Sequence, residues 1–176
     1  MIHFKARLSR PASPKGATWT FVVLPMNASA RLPTRAMTSV EGSFGGQPFK
    51  TTLEPDGNGS HWLKVPKALR EAAGVEAGDT VALGIAPAAE QLESSVPADL
   101  RKALAANPAA KATWDATTTV ARRDWIHWVT SPKKPETRVR RVAVTCDKLA
   151  SGQRRACCFD RSGMYSKAFA APEAAD

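Results

Sequence analysis

Ser60 and His61 are the neighbouring residues that come nearest to a catalytic nucleophile and its base. They follow a glycine-rich turn, they lack the elbow motif that exposes a catalytic serine, and no acid is obviously placed to orient the histidine. Asp56, the acid closest in the sequence, more naturally serves the turn itself, because Asp side chains hydrogen-bond the backbone of turns. We therefore expect no catalytic site and no enzymatic activity.

Motifs for metals and phosphates are missing from the sequence as well. The three histidines, His3, His61 and His127, lie far apart, and no pair of His or Cys residues has the spacing of metal ligands. The glycine-rich segment 42–46 is not a phosphate-binding loop and precedes no predicted helix, so a turn or β-bulge explains it better. We expect neither a metal nor a cofactor.

The cysteines and the N-terminus favour a cytoplasmic location. The three cysteines, Cys146, Cys157 and Cys158, are an odd number without a disulfide or zinc pattern, which is typical of free thiols in a reducing compartment. The N-terminus alternates polar and apolar residues and does not form the apolar stretch of a signal peptide. No apolar run approaches the roughly 20 residues that span a bilayer, so we expect no membrane span.

Positive charge is the clearest chemical feature of the chain. The formal net charge is +9, and residues 91–176 carry fifteen Lys and Arg against nine Asp and Glu. A basic half of this kind attracts nucleic acid or another anionic partner. The candidate residues for binding an anion, a nucleic acid or a protein partner are Arg122, Arg123, Arg138, Arg140, Arg141, Arg31, Arg35 and Arg70. The alternative is that these arginines lie on solvated faces and pair with acids such as Asp124 and Glu136.

Strand and turn signals dominate the first ninety residues. Short apolar, aromatic and β-branched runs alternate with turns at near-regular spacing, which is typical of a small closed β-barrel. The predicted strands are 2–8, 19–24, 37–44, 49–53, 61–65 and 81–85. One helix is predicted over 66–73, because Pro66 stands at its first turn and Gly74 at the position of a C-terminal cap.

An internal repeat with an offset of 41 residues runs through the same region. Each copy consists of a strand, a proline, a short connecting segment and a second strand, and two such copies can close as a pseudo-symmetric barrel. The matching pairs are Phe21 and Trp62, Leu24 and Val65, Pro25 and Pro66, Val40 and Val81, and Phe44 and Ile85. Chance similarity is the alternative, because the matched positions are few.

The rest of the chain is predicted to be helical. A polar, alanine-rich linker over 87–96 is followed by helices at 97–106, 109–115, 119–130 and 136–150. In the third helix the tryptophans Trp125 and Trp128 lie on an apolar stripe with Ala121 and Val129, which favours core positions over stacking platforms for nucleic acid. From residue 153 to 176 no periodicity is present, and we expect a flexible tail.

The fourth predicted helix has the strongest periodicity of the helical half. Its predicted apolar face consists of Val139, Val142, Ala143, Cys146, Leu149 and Ala150. The same pattern places Arg138, Arg140 and Arg141 off that face, where they are available to a partner or to solvent.

Motifs in the barrel half resemble known families. Residues 62–81 contain P-x-x-L-R followed by G-x-x-x-G-D-x-V, and they look like the half-barrel of AbrB-type swapped-hairpin proteins. Residues 1–86 more closely resemble a bacterial domain of unknown function in which that unit is duplicated within one chain. The markers are Trp19, Pro25, Glu41 to Phe49, Gly59 to His61, and Gly78 with Asp79. The resemblance implies a double-split β-barrel, and because AbrB-type barrels bind DNA as dimers through arginines, it makes Arg31, Arg35 and Arg70 candidates.

A second set of motifs lies in the helical half. It comprises Pro97 to Leu100, Ala103 with Leu104, Asn107 with Pro108, Trp114, Arg122 to Val129, and Glu136 to Arg141. On these residues 97–152 resemble the bacteriocin-protection, YdeI or OmpD-associated family. The resemblance implies a role in tolerance to antimicrobial peptides, without an established enzymatic reaction.

Together these observations predict an α+β protein. We expect a double-split β-barrel, AbrB-like and internally duplicated, over 1–86, then the linker at 87–96, a small basic helical domain over 97–152, and the tail. The expected function is non-catalytic stress tolerance of the bacteriocin-protection type, through an unidentified protein or anionic partner. Two alternatives stay open: a nucleic-acid-binding protein that uses the basic helices or the barrel face, and a small-molecule-binding barrel or enzyme.

Overall fold

The computed structural model describes residues 1–156 and 169–175. The chain forms two compact units: Met1–Gln91 together with Phe169–Asp176, and Leu92–Ala168. The division after Gln91 falls inside the segment 87–96 that the sequence predicts as a linker.

The first unit is a curled, six-stranded antiparallel sheet with two short helices. Its elements are β1 (Ile2–Arg7), β2 (Thr20–Val23), α1 (Met26–Ser29), β3 (Thr38–Phe44), β4 (Gln47–Pro55), β5 (His61–Val65), α2 (Lys67–Ala72) and β6 (Thr80–Pro87). The strand order is β1-β6-β3-β4-β5-β2, so β1 and β2 form the two edges. Ser9, just beyond β1, exchanges two backbone hydrogen bonds of 2.9 Å with Phe21 of β2, and this bridge brings the edges together at one point.

Every predicted strand overlaps an observed one, because the period-two pattern sorts side chains between core and solvent. In β1, Ile2 and Ala6 are buried, whereas His3 and Lys5 are exposed. The innermost core side chains of this unit are Leu8, Val22, Val40, Phe44, Leu53, Leu63 and Ile85. Burying these apolar groups is the main stabilisation of the sheet.

Local sequence accounts for the turns and helix ends of the first unit. Gly45 and Gly46, with φ of 54° and 82°, form the two-residue turn between β3 and β4, and a turn of this type needs a positive φ at both positions. After α2, Gly74 has φ of 65°, and the amides of Gly74 and Val75 donate to the carbonyls of Glu71 and Arg70. This is the glycine cap that the sequence predicts. The four-residue helix α1 is an addition to the prediction, which has only a connecting segment there.

The second unit consists of helices α3 (Ala98–Ala105), α4 (Pro108–Asp115), α5 (Thr119–Thr130) and α6 (Pro135–Ala150). The side chain of Asn107 caps α4 by accepting from the amide of Ala110, and Thr118 caps α5 in the same way. Trp114, Trp125 and Trp128 are buried among leucines and valines, so the interpretation of Trp125 and Trp128 as core residues is confirmed. No helix in the described part of the chain is long and apolar enough to cross a membrane.

The buried face of α6 differs from the predicted one. Val142, Cys146 and Leu149 are buried as predicted, but Val139 is 71% exposed, and Ala143 and Ala150 are also exposed. The other buried positions are Arg141 and Thr145. Residues 141 and 145 lie one helical turn apart beside Val142, Cys146 and Leu149, so they share this face. The prediction that Arg141 lies off the face was wrong, because apolarity alone does not reveal a buried arginine whose donors are satisfied.

The described parts of the predicted tail make specific contacts. The carbonyl of Arg154 accepts a hydrogen bond of 3.1 Å from the indole of Trp125, and Ala156 is fully buried. In the first unit, the amide of Ala171 donates to the carbonyl of Asp56 and that of Ala175 to the carbonyl of Arg10, both within 3.0 Å. The remaining part of the tail prediction, with Cys157 and Cys158, falls in 157–168, outside the described residues.

Candidate binding surfaces

Ser60 and His61 do not form a catalytic pair. The hydroxyl of Ser60 donates to the carbonyl of Leu24 at 2.8 Å, which turns it away from its neighbour. The imidazole of His61 is fully buried and lies between the Ser29 hydroxyl, 2.7 Å from Nδ1, and the Ala36 carbonyl, 3.0 Å from Nε2. A carbonyl can only accept, so Nε2 carries the proton and the hydroxyl of Ser29 donates to Nδ1. Burial lowers the pKa of His61 from its ordinary value of 6.5.

Asp56 organises the turn before β5, as the sequence predicts. One carboxylate oxygen accepts from the amides of Asn58 and Ser60, at 2.8 Å each. Gly57 and Gly59 in this turn have φ of 82° and 93°, which only glycine adopts without strain. Ser60, His61 and Asp56, which come closest to a catalytic arrangement in the sequence, therefore have structural roles. The hydrogen bond between His61 and Ser29, 32 positions apart, was missed by sequence reasoning.

The candidate arginines of the first unit have different environments. Arg70 is only 8% exposed, and its Nη1 donates to the carbonyl of Thr18 at 3.2 Å. Arg35 is exposed and donates to the carbonyl of Gly59 at 2.9 Å. Arg31 is exposed and lines a groove described below. The structure therefore does not bring Arg31, Arg35 and Arg70 together as a single exposed patch.

Two candidate arginines of the second unit are held by carboxylates. Arg138 makes a two-pronged contact with Asp99, with Nε and Nη2 at 2.8 Å and 3.1 Å from the two carboxylate oxygens. Arg122 pairs with Glu93 and also donates to the carbonyl of Thr117. The hydrogen bond from each arginine lowers the pKa of its acid, Asp99 or Glu93. The alternative in which these arginines pair with acids names the nearby Asp124 and Glu136. The observed partners, Asp99 and Glu93, lie 39 and 29 positions away in the sequence.

Arg141 joins two helices from inside the second unit. It is 5% exposed, and its Nη1 donates to the carbonyl of Trp128 at 2.7 Å and to the hydroxyl of Ser131 at 3.1 Å. The guanidinium also lies 4.9 Å from the centre of the Trp128 ring. The last carbonyls of a helix have no partner within it, so Arg141 completes the end of α5 and places its charge at the negative end of that helix.

The charge of Arg141 affects a neighbouring histidine. The pKa of His127 falls to about 4, first because the ring is buried and second because Arg141 is nearby. Arg123 is also buried, at 4% exposure, whereas Arg140 is exposed. Of the candidates in the helical half, Arg140 is thus the residue with the most open position.

Among the grooves of the first unit, two lie between a strand and a short helix. The β1–α1 groove has a volume of about 380 Å³ and is lined by His3, Phe4, Lys5, Pro25, Ala28 and Arg31 among others. The β4–α2 groove has a volume of about 400 Å³ and is lined by Phe49, Lys50, Leu63, Lys64, Pro66 and Leu69 among others. In the described part of the chain, no cluster of three or more His, Cys, Asp or Glu is placed to hold a metal ion.

Comparison with protein families gives a match for each unit. Residues 93–152 match the family described as Bacteriocin-protection, YdeI or OmpD-Associated. Residues 4–85 match a family described as Domain of unknown function (DUF1905). No curated protein matches the chain. The resemblance of the helical half to the bacteriocin-protection family is therefore confirmed, and the first unit matches a domain of unknown function.

Proposed function

We propose that this chain is a non-catalytic, cytoplasmic stress-tolerance protein of the bacteriocin-protection type that acts by binding a partner. The observation that carries the proposal is the match of residues 93–152 to a family whose description names bacteriocin protection. The surroundings of Ser60 and His61 support the non-catalytic part, because both side chains are buried and hydrogen-bonded to groups of the fold.

The partner we propose is anionic, because exposed cations remain on the second unit after its structural arginines are set aside. Lys133 and Lys134 precede α6, Arg140 lies in its first half, and all three are exposed. Arg123 and Arg141 are buried. Arg101, Lys102, Arg154 and Arg155 of this unit are exposed as well, so cations lie on several of its elements. We take an acidic protein as the partner and test nucleic acid as the alternative.

We further propose that the first unit is an AbrB-like, internally duplicated double-split β-barrel. Its first copy consists of β1, β2, α1 and β3, and its second copy of β4, β5, α2 and β6. With the offset of 41 residues, β2, α1 and β3 overlap β5, α2 and β6; the first residues of β2 and α1 coincide with those of β5 and α2, and the other bounds differ by one or two residues. Pro25 and Pro66 precede α1 and α2 with nearly equal φ of −58° and −60°.

The strand register supports the duplication independently of sequence similarity. Val22 pairs with Leu63 between β2 and β5, and Ser43 pairs with Gly84 between β3 and β6. Both pairs join residues that are 41 positions apart, as a two-fold axis through the two pairs requires.

The first strands of the two copies correspond at a different offset. The strand pairing gives an offset of 45 residues between β1 and β4. Ile2 of β1 pairs with Ile85 of β6, and Gln47 of β4 pairs with Phe44 of β3; since Phe44 corresponds to Ile85, Ile2 corresponds to Gln47. The bridge of Ser9 with Phe21 then corresponds to the pair of Glu54 with Trp62. At this offset the sequence FKARL of residues 4–8 matches FKTTL of residues 49–53.

The role is tested by survival of bacteria under bacteriocin challenge. Cells that express the chain are expected to tolerate a higher bacteriocin concentration than cells with an empty vector. Reversing the exposed cations with Lys133→Glu, Lys134→Glu and Arg140→Glu together should remove the protection. The matched control reverses three exposed cations of the first unit, Arg10, Lys15 and Arg31, and should keep it. Equal tolerance with and without the intact chain would overturn the proposal.

Fluorescence anisotropy with labelled random duplex DNA tests the nucleic-acid alternative. The proposal expects no tight binding at physiological salt. Tight binding that weakens steeply as salt rises, and that the three reversals at Lys133, Lys134 and Arg140 abolish, would replace the anionic protein partner by nucleic acid.

A further inference from the structure

The β1–α1 and β4–α2 grooves of the first unit occupy equivalent positions in the two copies. Each is lined by a Phe-Lys pair on the first strand of its copy, Phe4 with Lys5 or Phe49 with Lys50. Each also contains the proline that precedes the short helix, Pro25 or Pro66. The equivalence rests on the duplicated architecture proposed above, whereas the properties of each groove rest on its own lining.

The linings have diverged in chemistry. Where the β1–α1 groove has Ala28, the β4–α2 groove has Leu69. Leu63 and Pro48 add apolar groups to the β4–α2 groove, and Ile2 adds one to the β1–α1 groove. The β1–α1 groove also contains His3 and Arg31. The β4–α2 groove is therefore the more apolar of the two, with cations confined to Lys50 and Lys64.

We propose that the β4–α2 groove binds a small amphipathic carboxylate. Its volume of about 400 Å³ lies in the range of small-molecule sites, which are mostly apolar with a few polar groups that fix orientation. The half-buried side chains of Phe49 and Leu69 contact the apolar body above the buried Leu63, and the ammonium groups of Lys50 and Lys64 receive the carboxylate. No acidic residue of the described chain lines the groove, so Lys50 and Lys64 would repel a cationic amphiphile.

The present partners of the two lysines are easily exchanged. Lys50 lies 3.6 Å from Glu41, and both side chains are about half exposed, so this ion pair contributes little. Lys64 lies 4.7 Å from the centre of the Trp19 ring. A carboxylate in the groove offers each ammonium a charge-assisted hydrogen bond, which is stronger than an exposed ion pair at this distance.

The test uses the full chain and three probes with the same apolar body: octanoate, 1-octanol and octylammonium. Titrations followed by ¹H–¹⁵N NMR, below the concentration at which the probes aggregate, report both affinity and location. We expect octanoate to bind most tightly and to shift the amides of Phe49 to Thr51 and Leu63 to Leu69. Octanol should bind more weakly, and octylammonium weakest of all.

Variants separate the groove from general surface adsorption. Lys50→Gln should weaken octanoate binding by on the order of five-fold, whereas Lys5→Gln at the equivalent position should leave it unchanged. Glu41→Gln should tighten binding, because it releases Lys50. Leu69→Trp should block all three probes by filling the groove, and its dispersed NMR spectrum verifies the fold.

Three outcomes would overturn the proposal. They are octanol binding as tightly as octanoate, equal effects of Lys50→Gln and Lys5→Gln, and shifts that do not saturate. None of these results would bear on protection against bacteriocin, because that role is assigned to the second unit.

Discussion

The two proposed copies of the first unit, β1 to β3 and β4 to β6, differ in the buried polar groups that the 41-residue offset relates. His61 and Ser29 are hydrogen-bonded to each other, and both imidazole nitrogens of His61 have partners. The equivalent pair under the 41-residue offset is Thr20 and Arg70. Among the described residues, the hydroxyl of Thr20 and the Nε of Arg70 have no hydrogen-bond partner.

This difference distinguishes the contribution of the backbone to stability from the contribution of each side-chain pair. In each proposed copy a proline precedes a short helix, and β2 with β5 and β3 with β6 pair residues that are 41 positions apart, so similar backbones hold the two pairs. A satisfied buried pair is costly to break, whereas deleting a group that already lacks a partner removes a penalty instead of a bond. The two positions should therefore respond very differently to mutation.

The largest expected effect is at the pairing of β3 with β6, where the two proposed copies meet. A Cβ at residue 42 would lie 1.9 Å from the carbonyl oxygen of Gly84 on the paired strand β6. Gly42→Ala should therefore destabilise the chain by more than about 4 kcal/mol or prevent folding, as measured by denaturant unfolding. The control Gly46→Ala has φ of 82° but nothing within 4 Å, and should cost about 1–2 kcal/mol. Equal losses in the two variants would contradict the close approach of β3 and β6.

The next largest effect distinguishes the two polar pairs directly. His61→Leu leaves the Ser29 hydroxyl and the Ala36 carbonyl without their partner, and should cost about 2–4 kcal/mol. The matched change Thr20→Val removes a hydroxyl that has no partner, and should alter the free energy of unfolding by less than about 0.5 kcal/mol. Similar losses for both variants would mean that the copies do not differ in this way.

A double-mutant cycle sharpens the comparison at a smaller scale. Ser29→Ala leaves Nδ1 of His61 without a donor and should cost about 1–2 kcal/mol by itself. Added to His61→Leu, it should cost much less, because the interaction is already lost. The corresponding cycle of Thr20→Val with Arg70→Met should be additive, and urea unfolding of the variants measures both cycles. Additivity in the His61 cycle would be evidence against the Ser29 hydrogen bond.

The smallest effect concerns pH. Burial lowers the pKa of His61, so the folded state binds fewer protons than the unfolded state below the ordinary value of 6.5. Its contribution to stability is full above pH 6.5 and falls as pH drops from 6.5 towards the folded pKa. Thr20 does not titrate, so only one of the two pairs should be acid-sensitive.

A pH titration followed by imidazole NMR signals measures the pKa of His61 in the folded protein separately from that of other histidines. Residue-resolved signals are needed because His127 of the second unit, with a pKa of about 4, weakens folding in the same pH range. A His61 signal that titrates at or above pH 6.5 would contradict the buried, neutral ring.

Patterns of local origin were predicted well from the sequence. The glycine turn after Phe44, the cap at Gly74 and the tryptophan stripe of α5 depend on neighbours a few positions away, and each is where the pattern indicates. The buried face of α6 was predicted only in part. Apolarity identified Val142 and its neighbours but could not reveal a buried arginine beside them.

The candidate binding residues were predicted least well, because the sequence shows which side chains are charged but not which groups the fold places beside them. Arg138 and Arg122 look available in sequence, yet the fold places Asp99 and Glu93 against them. The grooves were not foreseen either, since each combines a strand with a helix about 20 residues away in the chain.

The sequence by itself determined the strands, turns, helix caps and the division between a barrel-like half and a helical half. Each of these follows from backbone preferences and apolar periodicity over a few residues. Only the tertiary structure decided which polar groups are structural and which stay exposed. An arginine or histidine becomes structural when a carbonyl or carboxylate from another part of the chain lies within hydrogen-bond distance, as the carbonyl of Trp128 does for Arg141 and that of Ala36 for His61.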